Sequence, residues 1–539
     1  MIKNSIALIK KNWKSGFSVG LVSIPLAISL AVASNTTPVV GIITAIWSGF
    51  VASIFGGSNY NIIGPTGALT GILAGYAIIY GPDSLSMLAI LAGIIIFITY
   101  FINLEKYLVL FPASTIHGFI LGIAIIIILN QINPALGISV PVIHENLLAN
   151  TIESIKNFSN FSAQAASLFF IFLFFLFFIT KKVKNIPAMI IASPIAIFLG
   201  YLSTSKILPL TLQTLETKYS TIQPSLFLRV NFSFNPNFLI PAFTIALIAI
   251  IETMISARIA DGLTKTKHDK QKEILGLSLA NIVSGICGGI PATAALARTD
   301  LNIRAGGTSK ISATLSSFFI LIISFLFLKY FKFLPIPAVA AMLAFVAIRM
   351  VEKKHLSKMY KIDKKNFALA MFVAAMTIYE DPIIGILSGV AISMFLFMLK
   401  LSQGQFELSF GEKEKADYIK AKESIETGLK DSDLLVYSIK GKLAYINAQS
   451  HITRLETFPI KYNNILLNLK DLYFIDMDGV DAFSDIINII NSQNKKIFIS
   501  GVSNLIEKLL ENSNEFNNLK KNGFVFENKE QVIKLLKNQ

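Results

Sequence analysis

Apolar runs separated by short polar breaks fill residues 15–400, and the pattern thins out beyond residue 404. A helix that crosses a bilayer needs about 20 largely apolar residues. Fourteen spans are predicted: 15–33, 38–55, 65–80, 85–103, 112–131, 161–180, 186–203, 238–257, 273–289, 293–303, 309–328, 335–351, 366–380 and 382–400. The third and tenth are short, and each follows a lead-in rich in glycine and proline. One reads Gly64-Pro65-Thr66-Gly67-Ala68, the other Gly288-Gly289-Ile290-Pro291-Ala292. A plain membrane helix has no reason to break there, so both are read as half-helices. Paired interruptions in matching halves of a chain point to a binding site inside the membrane.

The halves match in register. Pro65 and Pro291 lie 226 residues apart, Pro112 and Pro337 lie 225 apart, and Pro25 and Glu252 lie 227 apart. Seven spans per half is an odd number, so the halves enter the membrane in opposite orientations. The expected architecture is a polytopic helical membrane protein, with 14 spans as a seven-plus-seven inverted repeat. Charge agrees with this count. With the N-terminus inside, 20 Lys and Arg residues fall in inner loops and 6 in outer ones. Cationic loops stay cytoplasmic, which puts both ends of the chain inside. The same bias accounts for the net charge of +15 without nucleic acid, for which no basic stripe on a folded face is implied.

Beyond residue 404 the period changes. Residues 434–439, 464–469, 496–500 and 524–526 read as strands, and 448–455, 479–490 and 503–510 as helices. This alternation predicts a small α/β domain with a largely parallel sheet. The expected domains are therefore a membrane domain at 1–403, a charged linker or amphipathic lead-in at 404–432, and an α/β domain at 433–539.

The broken segments carry the chemistry. Proline in the first turn preorganises a helix whose early N–H groups have no intrahelical acceptor. Thr66, Gly67 and Ala68 leave those groups open to approach, and a helix N-terminus carries about half a positive charge. The second half-helix, expected to start near Thr293 or Ala294, offers the same beside Ala292, Ala294 and Ala295. Two such ends meeting near the midplane would hold a small anion. Close packing of small residues is the alternative reading.

Arg298 lies about one turn into the second half-helix. A cation within a span costs roughly 2.5–3.5 kcal/mol on insertion scales. It either raises the positive potential at the site or serves an acidic partner. Glu252 sits midway along the eighth span, four residues before Ser256 and on the same face. A carboxyl withdrawn from water takes up a proton more readily, which is the physical basis for proton-coupled anion uptake. Glu252 and Ser256 oxygens could instead hold a sodium ion, and a Glu252–Arg298 ion pair that only holds the fold is the third alternative.

Other classes find no motif. There is no P-loop, no nucleophile elbow and no glycosidase-like carboxylate pair, so neither ATP-driven pumping nor an enzyme is expected. Cys287 is the only cysteine, so no intrachain disulfide can form. His117 lies in an apolar span and reads as a packed residue. His144, His268, His355 and His451, in loops or the soluble part, lack metal-ligand spacing. No cleavable signal segment is evident in the basic start from Met1 to Lys14.

Taken together, Ile63-Gly64-Pro65-Thr66-Gly67, Ala260-Asp261-Gly262-Leu263-Thr264, Gly288-Gly289-Ile290-Pro291, Arg298-Thr299 and Ala305-Gly306-Gly307-Thr308 resemble the sulfate permease (SulP) family of anion transporters. Gly441-Lys442-Leu443-Ala444-Tyr445 and Phe474-Ile475-Asp476-Met477-Asp478-Gly479 resemble the STAS domain those transporters carry. The resemblance implies a core and a gate that move as an elevator. It implies a site between the third and tenth spans, lined by the first and eighth. It implies sulfate, bicarbonate, chloride or dicarboxylates as substrates, often with a proton or sodium. By position, Thr66 and the Ala294–Ala295 backbone match the anion contacts, Glu252 the eighth-span acid and Arg298 the tenth-span base.

Four positions depart from the family pattern. Leu26 follows the first-span proline where many members have glutamine. Glu252 and Leu296 stand where sodium-coupled bicarbonate carriers have aspartate and threonine. The Leu296 side chain has no ligand oxygen, which favours protons over sodium. Met477 stands where anti-sigma antagonists have a phosphorylatable serine.

The resulting expectation is a secondary active carrier of a small, sulfate-like inorganic anion, driven by protons. Its substrate contacts are Thr66, Gly67, Ala68, Ala294, Ala295 and Arg298, and its coupling residues are Glu252 and Ser256. A bicarbonate or dicarboxylate carrier and an anion channel of the same fold are the alternatives. No cofactor or metal is expected. The protein is expected in the lipid bilayer of the inner cell membrane as a homodimer. Its N-terminus and STAS domain face the cytoplasm, where the STAS domain offers a surface to a partner.

Overall fold

The computed structural model describes residues 2–103, 106, 111–140, 147–183, 187–219, 222–230, 235–380, 382–410, 413–416, 434–457 and 462–537. His144 and residues 411–412 and 417–432 of the expected linker lie outside these. The chain forms two compact units, residues 1–391 and 392–539.

The first unit is helical. Its order is α1 (Ile2–Ala33), α2 (Pro38–Phe55), α3 (Gly67–Tyr80), α4 (Ser84–Ile102), α5 (Ala113–Asn130), α6 (Ile132–Leu136), α7 (Leu147–Lys156), α8 (Ala163–Lys182), α9 (Ala188–Thr204) and α10 (Leu215–Lys218). Then follow α11 (Leu239–Thr264), α12 (Lys270–Ile286), α13 (Leu296–Arg304), α14 (Ile311–Phe331), α15 (Ile336–Met350), α16 (Lys353–Ile362), α17 (Lys364–Tyr379) and α18 (Pro382–Ser402), which runs on into the second unit. A helix occupies each of the fourteen predicted stretches. Eight helices among the described residues are long and apolar enough to cross a membrane. Proline lies in the first turn of several helices of this unit, as at Pro38 of α2 and Pro337 of α15, where a missing N–H costs nothing.

The chain extends as β1 (Ile63–Gly64) before α3 and as β2 (Thr293–Ala294) before α13. The two strands pair antiparallel, Ile63 opposite Ala294 and Gly64 opposite Thr293. This pair corrects the start of the second half-helix from near Thr293 or Ala294 to Leu296, because residues 293–294 must stay extended to make the ladder.

Helix packing comes in exchanged pairs. α4 packs on α12 as α14 packs on α2, α5 on α17 as α8 on α15, and α13 on α1 as α3 on α11. Small residues permit the approach: a Cβ at Gly41 of α2 would run into the Ala27 carbonyl of α1. The outward faces are apolar. On α8, Phe170, Ile171 and Phe174 are exposed, Phe174 by 73%, as lipid-facing positions allow and water would not.

The second unit holds β3 (Gln405–Phe410), β4 (Lys413–Ala416), β5 (Leu434–Leu443), α19 (Tyr445–Thr457), β6 (Asn464–Asn468), β7 (Leu472–Ile475), α20 (Met477–Ser492), β8 (Lys496–Ser500), α21 (Asn504–Leu510), α22 (Asn514–Lys521), β9 (Val525–Phe526) and α23 (Lys529–Lys537). The sheet order is β4-β3-β5-β6-β8-β9, with β7 also on β5. β5, β6, β8 and β9 run parallel, as the sequence predicts. β3 joins antiparallel to β5, so residues 405–410 belong to the sheet and not to a linker. Polar and apolar residues alternate there with the strand period of two, which the charged stretch that follows obscures. Tyr437, Ile439, Leu467, Phe483, Ile486 and Ile499 form the core. His451 is buried among them, its Nδ1 2.8 Å from the Tyr437 hydroxyl. Burial, and then the charge of Arg454, push this imidazole down to about 4.

Candidate functional site at the crossing of two half-helices

Pairing of β1 with β2 brings the open ends of α3 and α13 to one place. Thr66 is the N-cap of α3, in extended conformation, yet its hydroxyl does not cap the helix. It donates instead to Glu252 Oε2 of α11, at 3.0 Å. Among the described residues no protein group accepts from the N–H of Gly67 or Ala68, as befits the first positions of a helix. A Cβ on Gly67 would stand 2.9 Å from Ile127 and 3.2 Å from the Met350 sulfur, so α5 and α15 lie close against this end.

The α13 end is knitted into the protein. The N–H of Ala294 donates to Thr253 Oγ1 at 3.2 Å, and that of Ala295 to the Ile62 carbonyl at 3.0 Å. These two groups, expected as open donors, are therefore already paired. The N–H groups of Leu296 and Ala297 find no acceptor among the described residues. The Thr253 and Thr293 hydroxyls are 2.8 Å apart, and Thr293 donates onward to the Ala249 carbonyl at 3.0 Å.

Ser256 is placed in a buried polar seam and not beside Glu252 in hydrogen-bonding terms. Its hydroxyl donates to Asn61 Oδ1 at 2.9 Å and lies 3.1 Å from Thr299 Oγ1. Asn61 continues the seam to Glu273 Oε1 at 2.6 Å. The other Glu273 oxygen accepts the N–H groups of Gly57 and Ser58, each at 2.7 Å. Sequence reading passed over Glu273, which sits beside Lys270 and Lys272 at the start of a span. The glycine pair Gly56-Gly57 after α2 was the available signal for a loop that needs an acceptor.

Arg298 is 2% exposed. Its guanidinium donates to the Pro65 carbonyl, and its Nη1 lies 2.6 Å from where a Cβ on Gly64 would stand. Gly64 is thus held as glycine by the arginine behind it. Among the described residues neither Arg298 nor Glu252 makes an ion pair at contact distance, yet the two lie within electrostatic reach of each other. Two helix ends and a buried guanidinium without a bound carboxylate converge, which makes the place electropositive. Facing them is one carboxyl hydrogen-bonded to a hydroxyl. That hydroxyl can donate to a carboxylate or accept from a protonated carboxyl, so a proton on Glu252 would reverse the hydrogen bond at the mouth of α3. About one turn further along α3, Gly71, Ala74 and Gly75 line a cavity of about 380 Å³ with Asn130, Gln131 and Lys218.

The sequence profile of the sulfate permease family matches residues 9–373, and that of the STAS domain residues 425–531. The Bacillus subtilis protein YvdB is 28% identical over 529 residues, covering 96% of each chain. The bicarbonate transporter BicA of Picosynechococcus sp. is 24% identical over 407 residues, 73% of this chain and 70% of that one. Chloroplastic sulfate transporter 4.1 of Arabidopsis thaliana is 22% identical over 503 residues, 88% of this chain and 73% of that one. Among solved structures, the murine Solute Carrier 26 family member A9 anion transporter in the inward-facing state superposes with a TM-score of 0.78 at 15% identity, covering 98% of this chain and 92% of that one. The transmembrane domain of a cyanobacterial BicA gives 0.62 at 22% identity, with 72% and 97% coverage. At these identities the structures speak to the fold.

Proposed function

The chain belongs to the sulfate permease family, as an anion transporter with a STAS domain and not an enzyme, and on that premise we propose that it carries a sulfate-like inorganic anion together with a proton. The observation that carries this reading is the crossing itself. Two open helix ends meet at the β1–β2 pair, with Arg298 behind them and Glu252 in front.

In this reading the N–H groups of Gly67, Ala68, Leu296 and Ala297 receive the anion, and the Arg298 charge holds it. A charged Glu252 would repel the anion, so binding takes a proton onto the carboxyl, and the Thr66 hydroxyl turns from donor to acceptor. Release of the proton restores the repulsion and expels the anion. Sodium is disfavoured because the Leu296 side chain has no ligand oxygen and the Ser256 hydroxyl is engaged by Asn61. No cofactor is required. The exchanged helix pairs and the matching proline offsets support the fourteen-span inverted repeat, and an elevator-like motion of the half-helices past α5 and α15 is part of the proposal. The loop charges support an inner-membrane protein with both ends cytoplasmic.

Similarity to BicA favours bicarbonate as the second reading. Uptake by proteoliposomes of sulfate, bicarbonate and dicarboxylates, with an imposed pH gradient and with or without sodium, separates the two. Sulfate uptake that rises with outside acidity and ignores sodium is expected. Sodium-dependent bicarbonate uptake without sulfate uptake would replace the first reading by the second.

A further inference from the structure

His117 and His355 stand 238 residues apart in the sequence, yet the fold brings them together. His117 lies in the second turn of α5, His355 in the first turn of α16, and Glu352 at the N-cap of α16. The two imidazoles lie nearly parallel, with centroids 4.9 Å apart and planes at 20°. Glu352 Oε2 is 2.8 Å from His355 Nδ1. One possible ligand atom from each of the three residues lies within 4.8 Å of the other two, and no other such trio occurs among the described residues. The transport reading makes no use of them.

The donor set is selective. Two imidazoles and one carboxylate suit a borderline cation of the zinc class, whereas Mg²⁺ and Ca²⁺ prefer all-oxygen sites. Bonds of about 2.0–2.1 Å place the ligand atoms of a tetrahedral zinc about 3.3 Å apart, so separations of up to 4.8 Å close on binding while the 2.8 Å Glu352–His355 contact opens. The His355 side chain is 61% exposed and Glu352 31%, which leaves both able to rotate towards a shared ion. Three protein ligands leave a fourth position for water. We propose that His117, Glu352 and His355 form a transition-metal site of the zinc class that ties α16 to α5. Because α16 links α15 to α17, and α17 itself packs on α5, an ion there braces the connection between these helices.

The test uses the full chain in detergent with any purification tag removed, and a chromophoric indicator competing for Zn²⁺. One Zn²⁺ per chain is expected, undisturbed by millimolar Mg²⁺. His355→Ala, at an exposed position that folding tolerates, should weaken binding at least about 10-fold. His117→Ala should do the same, and Glu352→Gln should weaken it less. X-ray absorption of the zinc-loaded protein should show two imidazoles and oxygen neighbours, losing one imidazole in His355→Ala. Unchanged affinity in the His117→Ala/His355→Ala double variant, or an unchanged absorption spectrum in His355→Ala, would overturn the proposal.

Discussion

At the end of α3 the capping residue leaves its own helix uncapped and gives its hydroxyl to Glu252, 3.0 Å away. At the end of α13 the nearby hydroxyls turn inward, Thr253 to the Ala294 N–H and Thr299 to the Ile62 N–H. Both ends offer a helix dipole, but of the two N-caps, Thr66 and Ala295, only Thr66 has a hydroxyl to give to a group that a proton can change. The two helix ends are two sources of positive potential, and their different side chains divide the work. The α3 end can respond, while the α13 end is a frame held by Thr253, Thr293, Ser256 and Asn61.

The largest effect on uptake should come from Glu252→Gln. It removes the responding group, so pH-driven uptake should fall to background while anion binding, read by anion-induced thermal stabilisation, persists. Proton-coupled uptake at the parent rate would dissolve the distinction between the two ends. Arg298→Ala comes next, with anion affinity expected to fall about 10- to 100-fold, consistent with a differential charge interaction of about 1.4–2.7 kcal/mol. Arg298→Lys should recover part of it, since the charge stays while the guanidinium contact with the Pro65 carbonyl goes. Equal affinity in all three proteins would return Arg298 to a packing role.

Thr253→Val and Thr66→Val sharpen the contrast at lower cost. The first leaves the buried Ala294 N–H unpaired, so stability should drop by about 1–3 kcal/mol, with the pH profile of uptake kept. The second takes the hydroxyl away from the Glu252 carboxyl, so it too should cost about 1–3 kcal/mol, but it should also lower uptake several-fold and displace its pH profile. Thermal unfolding and uptake at several pH values read both. The opposite pattern would exchange the roles of the two ends.

His451 should affect uptake least. Its imidazole is held near 4 in the folded protein, below the ordinary value of about 6.5. The unfolded chain therefore binds the proton first as pH falls. The contribution to stability is complete above about pH 6.5, shrinks as pH falls towards 4, and amounts to about 2 kcal/mol between pH 7 and 5. Hydrogen exchange of β5 and α19 in the full protein, corrected for intrinsic rates, should show this loss, and His451→Phe should flatten it.

Much of the frame was legible in the sequence because its signals are local. Pro65 and Pro291 mark the half-helices, the apolar runs mark all fourteen helical stretches, and 496–500 is a strand at its predicted bounds. The illegible parts depend on partners far along the chain. β1 and β2 have two residues each, too few for any period, and each exists because the other lies across from it. That hidden ladder is why Ala294 and Ala295 looked open. Glu273 looked like part of a charged helix start, and only the loop at Gly57 and Ser58 explains its burial. His117 and His355 failed every spacing rule because such rules read neighbours in sequence, and these two are neighbours only in the fold.

The central claim is that an anion and a proton cross together. The direct measurement is the internal pH of proteoliposomes holding the protein and a trapped pH dye, with no gradient imposed at the start. Sulfate added outside should acidify the lumen in step with its uptake, and the signal should vanish with Glu252→Gln. Sulfate accumulating in the lumen with no change of internal pH would contradict the account.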